Sequence, residues 1–221
     1  MSPTIAIVIL WAGFAGTHIV LSSLGIRRRL VTRLGEGPFL GIYSLVAFAF
    51  FVPLVSTYFA HKHAGPLLWS IPLGTGLRWT VYLAMAAAFI LMVAGLVRPS
   101  PASIVPGDPT PRGAQHLTRH PLFMGLGIFG LLHLIPNGSA ADLAFFGGFP
   151  LFALVGCRHQ DRRKLAAGTP AFRDFHRQTP FLPFTGPATG RGIRELGPIV
   201  IAGGVGLTIL LRHFHAAWFG G

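Results

Sequence analysis

Apolar residues in this chain fall in long unbroken runs, without the period-2 alternation of a half-buried strand or the one-sided stripe of a soluble amphipathic helix. Six runs stand out, at about 4–24, 38–59, 78–97, 122–136, 141–157 and 196–212. The first three approach the ~20 residues that a helix needs to cross ~30 Å of hydrocarbon. The last three are shorter, which predicts tilt or local thinning of the bilayer. A bilayer core supplies no hydrogen bonds to the backbone, so each run must satisfy its own as a helix. The fold class predicted is all-α, a polytopic transmembrane helical bundle of about six spans. The runs share no repeat, and one bundle accounts for residues 1–221 as a single domain.

Composition agrees, with 52% hydrophobic residues, 11% charged residues and a mean hydropathy of +0.60. Charge adds orientation. Arg27, Arg28, Arg29 and Arg33 follow the first run; Arg98, Arg112 and Arg119 follow the third; Arg158, Arg162, Arg163, Lys164, Arg173, Arg177, Arg191 and Arg194 follow the fifth. Only Lys62, Arg78 and Arg212 fall on the other side. The positive-inside rule makes the first side cytoplasmic and places both termini outside. Topology and contact with anionic lipid headgroups therefore explain the net charge of +12. Nucleic acid is not an expected partner, because no basic stretch carries an aromatic platform or groove-reading helix. The first run has its basic cluster after the apolar stretch and reads as a retained anchor, not a cleaved signal. Cys157 is the one cysteine, which excludes an internal disulfide and a multi-cysteine metal site.

Three connecting segments are informative. Residues 61–77, rich in Gly and Pro, are expected along the outer interface with Trp69 at headgroup depth. Residues 99–120 contain Pro99, Pro101, Pro106, Pro109 and Pro111 and form a stiff cytoplasmic linker. Residues 158–195 begin as a basic amphipathic continuation of the fifth run, with Phe172, Phe175, Phe181 and Phe184 expected to rest on the membrane surface.

Two histidines interrupt the runs, His18 in the first and His133 in the fourth. An imidazole at that depth is costly unless paired or ligated. Counted along continuous helices, His18 lies ~13 Å from the basic end at Arg27 and His133 ~16 Å from Leu122, which puts both rings at one level. Small or polar neighbours share their faces, Ala15 and Ser22 for His18, Gly130 and Asn137 for His133. Each histidine alone is explained by close helix packing through small residues. As a pair on facing helices they suit the two axial positions of six-coordinate haem b, with Gly130 opening a cleft for the porphyrin. A zinc site would want more ligands than this depth offers. His61, His63, His159, His176, His213 and His215 read as surface or interfacial groups. His116 and His120 are four apart, but Pro121 argues against a shared metal-binding helix face.

The ordered set Thr118-Arg119-His120-Pro121, Gly125, His133 to Gly138, Gly147-Gly148, Asp161-Arg162-Arg163, Thr179 to Phe184 and His215-x-x-x-Phe219-Gly220 resembles the NnrU family. That resemblance implies a multi-pass protein of the bacterial inner membrane, associated with denitrification and with nitrogen-oxide reductase machinery. The same superfamily includes zeta-carotene isomerase, which holds haem b and isomerises a polyene; its ligating histidines match His18 and His133. Arg119-His120-Pro121-Leu122-Phe123-Met124-Gly125 also resembles the signature of isoprenylcysteine-type membrane methyltransferases, which implies S-adenosylmethionine bound near Arg119 and His120. The paired glutamates and tyrosines of those enzymes are missing, so the polar groups that would orient cofactor and acceptor are lost. The function expected is a haem-binding redox or accessory protein, with a polyene isomerase as the alternative and a methyltransferase as the second alternative.

Overall fold

The computed structural model describes residues 1–103 and 107–220; Pro106 of the proline-rich linker lies outside the described residues. Among those residues there are ten helices and no strand: α1 (Pro3–Ser22), α2 (Leu24–Leu34), α3 (Glu36–Ala60), α4 (Thr75–Val97), α5 (Ala114–Leu117), α6 (Pro121–Leu134), α7 (Ala140–Ala167), α8 (Pro170–Gln178), α9 (Thr189–Arg194) and α10 (Pro198–Phe219). The chain is an all-α bundle. Helices α1, α3, α4, α7 and α10 are long and apolar enough to cross a membrane. With 14 residues, α6 spans only ~21 Å and falls short of the hydrocarbon thickness.

Two runs expected to be short are full-length helices. Ser139 and Asp142 form a capping box that starts α7, whose basic residues continue the helix past Arg158 until Gly168, at φ 40°, stops it. Nothing between Arg212 and Gly220 breaks α10, so His213 and His215 lie within it. The first run ends close to its expected boundary, but the helix does not continue into the basic cluster. Ser23, at ψ 143°, ends α1, and Arg27, Arg28, Arg29 and Arg33 form the separate helix α2.

The long helices pack in the order α3, α1, α7, α6, α4, α10. Glycines set the closest approaches. A Cβ on Gly125 would sit 2.7 Å from the Ala88 carbonyl of α4, and one on Gly130 would sit 2.5 Å from the Phe146 carbonyl of α7. The half of the bundle away from the basic residues is filled by Ile7, Trp11, Leu54, Tyr58, Phe145 and Phe146. Trp11 Nε1 donates to the Phe145 carbonyl at 3.1 Å, and Tyr58 donates to buried Asp142 at 2.8 Å. His63 closes the other oxygen of Asp142 at 3.0 Å. The α3–α4 loop is tied to the α6–α7 turn, where Trp69 Nε1 donates to the Leu134 carbonyl at 2.9 Å.

On the basic side, Phe172 and Phe175 are buried beside Ala102. They do not rest on the membrane surface, because α8 turns its apolar face inward onto the linker. Phe181 lies under the Arg119 and Arg158 guanidinium groups at 5.2 and 5.5 Å, while Phe184 remains exposed.

Candidate functional site

A groove runs between α1, α3, α6 and α7. Its apolar stretch, about 300 Å³, is lined by Trp11, Phe14, Ala47, Phe51, Leu126 and Phe149, with His18 as the one imidazole. Phe48, 59% exposed, forms part of the wall and opens toward lipid. An adjoining cavity of about 150 Å³ shares Phe14, His18, Phe123 and Phe152 and continues toward the basic side past Ser22, Tyr43, Cys157 and Arg163. From Trp11 to Ser22 the groove extends ~16 Å along α1.

His18 is held ready for a ligand. Its Nδ1 lies 2.8 Å from the Phe14 carbonyl, one turn back on the same helix. A carbonyl can only accept, so Nδ1 carries the proton and Nε2 keeps its lone pair. Among the described residues no hydrogen bond occupies Nε2. Phe14, Tyr43 and Phe152 surround the ring at centroid distances of 4.2, 4.9 and 5.4 Å. At the basic end, Ser22 Oγ and His159 Nε2 are 3.0 Å apart, so His159 reaches into the bundle and is not a surface group. The Arg163 Nε beside them is buried without a partner among the described residues.

His133 is placed elsewhere. Its Nδ1 is fixed in the same way, 2.9 Å from the Phe129 carbonyl. Its ring stacks on Phe146 of α7 at 4.6 Å and lies 6.5 Å from His215 of α10. The two intramembrane histidines therefore touch α7 at residues six apart, ~9 Å along its axis, and α7 lies between their helices. They do not share a level. The expected match in depth counted His18 from Arg27 along one helix, but α1 ends at Ser22, only ~6 Å beyond His18. His133 is the penultimate residue of α6, ~18 Å from the start of that helix at Pro121. As placed, His18 and His133 do not fit the two faces of one haem. Gly130 is packed against α7 and opens no cofactor cleft.

Arg119 and His120 form a separate, internally satisfied cluster. Arg119 Nε donates to Asp161 Oδ2 at 2.7 Å, His120 Nε2 lies 2.9 Å from Asp161 Oδ1, and Arg119 Nη1 donates to the Thr179 carbonyl at 2.8 Å. All three side chains are at least nine-tenths buried. Arg119 thus meets Asp161, and His176 adds a contact at 3.8 Å to the same carboxylate. Burial and the neighbouring Arg119 hold the His176 imidazole below its ordinary value. The sequence offered a signal for this cluster, since Asp161 is an acid embedded in a basic run, but its partner was not evident from spacing. The backbone closes around it, with the Arg119 amide donating to the Pro180 carbonyl at 2.9 Å and the Phe184 amide to the Leu117 carbonyl at 3.0 Å.

The fold and groove define a polytopic α-helical membrane protein with a lipid-accessible apolar site. The sequence profile of the NnrU protein family matches residues 6–221, and the chain belongs to that family. It is also similar to the chloroplastic 15-cis-zeta-carotene isomerases of Zea mays and Arabidopsis thaliana. Identity is 24% over 186 residues, 80% of this chain and 49% of the maize protein, and 23% over 201 residues, 87% of this chain and 53% of the Arabidopsis protein. The chain thus spans about half the length of these curated relatives. No solved structure matches.

Proposed function

We propose that this NnrU-family protein receives an elongated apolar molecule of the polyene class in the α1–α3–α6–α7 groove and acts as a membrane-embedded cis–trans isomerase. One observation carries the reading: the apolar stretch of the groove follows α1 for ~10 Å from Trp11 to His18, opens to lipid at Phe48, and contains one imidazole, His18, whose Nε2 has no hydrogen bond among the described residues. Similarity to the zeta-carotene isomerases supports the substrate class. An accessory role beside nitrogen-oxide reductases would need no such groove, which is why the ligand-binding role is preferred. The basic surface of α2, α7 and α8 supports a bacterial plasma membrane with these helices on the cytoplasmic side. Phe14, Phe123 and Phe152 would confine the chain beside His18, and a molecule longer than the groove would leave its ends in lipid. No step is assigned to haem here, because His18 faces no second axial ligand across the groove.

The test is retention and conversion of a 15-cis polyene, 15-cis-zeta-carotene, by detergent-purified protein. Ala47→Trp fills the apolar stretch and is expected to weaken retention at least tenfold, about 1.4 kcal/mol. Leu45→Trp, at a position 70% exposed on the lipid side of the same helix, should leave retention unchanged. Equal binding by both variants would remove the groove from consideration.

A further inference from the structure

The cavity on the basic side carries a chemistry that a hydrocarbon does not use. Arg163, Tyr43, Gln160 and His159 line it, all able to donate hydrogen bonds, and no Asp or Glu stands among its lining residues. Ser22 Oγ donates to the His18 carbonyl at 2.5 Å, so His159 Nε2, 3.0 Å away, donates to Ser22 and the two side chains satisfy each other. The other three make no side-chain hydrogen bond among the described residues, and Arg163 Nε is buried in that state. A buried guanidinium nitrogen without an acceptor is costly. The nearby acids are already engaged, Asp161 by Arg119 and His120, and Glu36 by Arg27 at 2.8 Å. The missing acceptor must therefore come from outside the chain, and a guanidinium fork matches the oxygens of a phosphate.

The neighbouring groove indicates where that phosphate comes from. The cavity joins the apolar stretch through Phe14, His18, Phe123 and Phe152. On α7 the joined lining runs from Phe149 to Arg163, ~21 Å along the axis. That is half of the ~40–45 Å of a bilayer with its headgroups. One lipid of the basic-side leaflet has these proportions, and the wall at Phe48 gives its chain a way in. We infer that Arg163, Tyr43 and Gln160 bind the phosphate of an anionic membrane lipid whose acyl chain lies in the apolar stretch beside His18. A free phosphate ion would satisfy Arg163 but leave that stretch unfilled. A choline headgroup would bring a cation toward exposed Arg158 and Arg162, so the site selects a lipid without one. Lipid and polyene would occupy the same space and displace one another, but the lipid site does not rest on the polyene reading.

The experiment is native mass spectrometry of the full-length protein in detergent, titrated with phosphatidylglycerol and with phosphatidylcholine of the same acyl chains. Wild type should hold one phosphatidylglycerol per chain at least tenfold more tightly than phosphatidylcholine. Arg163→Gln should abolish that preference, Arg163→Lys should keep part of it, and Arg162→Gln, at an exposed position on the same helix, should keep it all. Ala47→Trp should weaken phosphatidylglycerol without restoring phosphatidylcholine, because it blocks the chain and not the head. Equal loss in Arg162→Gln and Arg163→Gln would reduce the effect to general surface charge and overturn the site. Full displacement by inorganic phosphate, with Ala47→Trp behaving as wild type, would make it a site for the free ion and overturn the lipid assignment. Wild-type protein that retains the polyene but shows no headgroup preference would overturn this inference alone.

Discussion

Asp161 shows how one residue decides the state of several. Its two carboxylate oxygens hold Arg119 and His120, and the Arg119 guanidinium in turn holds the Thr179 carbonyl. Removing one member of a buried charged network leaves the others unpaired, at a cost of about 3 kcal/mol or more. Asp161→Ala should therefore lower the thermal midpoint sharply, and Asp161→Ala combined with Arg119→Met should recover part of the loss. Equal midpoints for the single variant and wild type in detergent would show that the cluster contributes no stability. Glu195 acts more weakly. The Gly113 amide and Arg191 hold its carboxyl below the ordinary range, so its tether between α5 and α9 is complete above the ordinary carboxylate value. The tether is lost as pH falls through the lowered one. Hydrogen exchange at Gly113 should accordingly rise only in acid. His18 and His133 were legible in sequence as unusual because an imidazole in an apolar run is rare. Their partners were not legible, since which helix faces which is a property of the packed bundle.

Helix boundaries explain most of what sequence reading placed differently. A hydropathy run marks where a helix must be buried in lipid, not where hydrogen bonding stops. Helices α7 and α10 therefore outlast their apolar stretches, and α1 ends at Ser22 before the basic cluster begins. That early end moves His18 out of register with His133. The α6–α7 turn gives an element-level prediction. A Cβ at Gly138 would lie 2.0 Å from the Trp69 carbonyl, where the Leu68 amide also donates to the Gly138 carbonyl at 2.8 Å. Gly138→Val should push the α3–α4 loop off the bundle and cost about 1–3 kcal/mol, measurable as faster proteolysis between residues 61 and 74. Unchanged proteolysis and an unchanged thermal midpoint would mean that the loop is not held there.

At the scale of the whole molecule, the bundle keeps polar chemistry at its ends and an apolar groove between them. One end is closed by Tyr58, Asp142 and His63, and the basic end by the Asp161 cluster. The all-α bundle and its division into spans were readable from hydropathy alone. The groove was not, because Phe14, Ala47, Phe123 and Phe152 come from four helices whose contacts no local pattern encodes. The orientation predicted from charge places Arg27 and Arg163 in the cytoplasm and Lys62 outside. Single cysteines introduced at exposed positions of α2 and of the 61–74 loop should react with an impermeant reagent from opposite sides of sealed vesicles. Labelling of both from the same side would contradict that topology, and exchange of the two sides would reverse it.

The central claim is that an elongated apolar molecule enters the groove beside His18, and photo-crosslinking tests it most directly. A long-chain polyene carrying a diazirine, irradiated with the protein in nanodiscs, should label Phe14 to His18 on α1, Ala47 to Phe51 on α3 and Phe123 to Leu126 on α6. Excess unlabelled 15-cis polyene should suppress that labelling. Label spread over the lipid-facing residues of α4 and α10, with the groove peptides unmodified, would contradict the account.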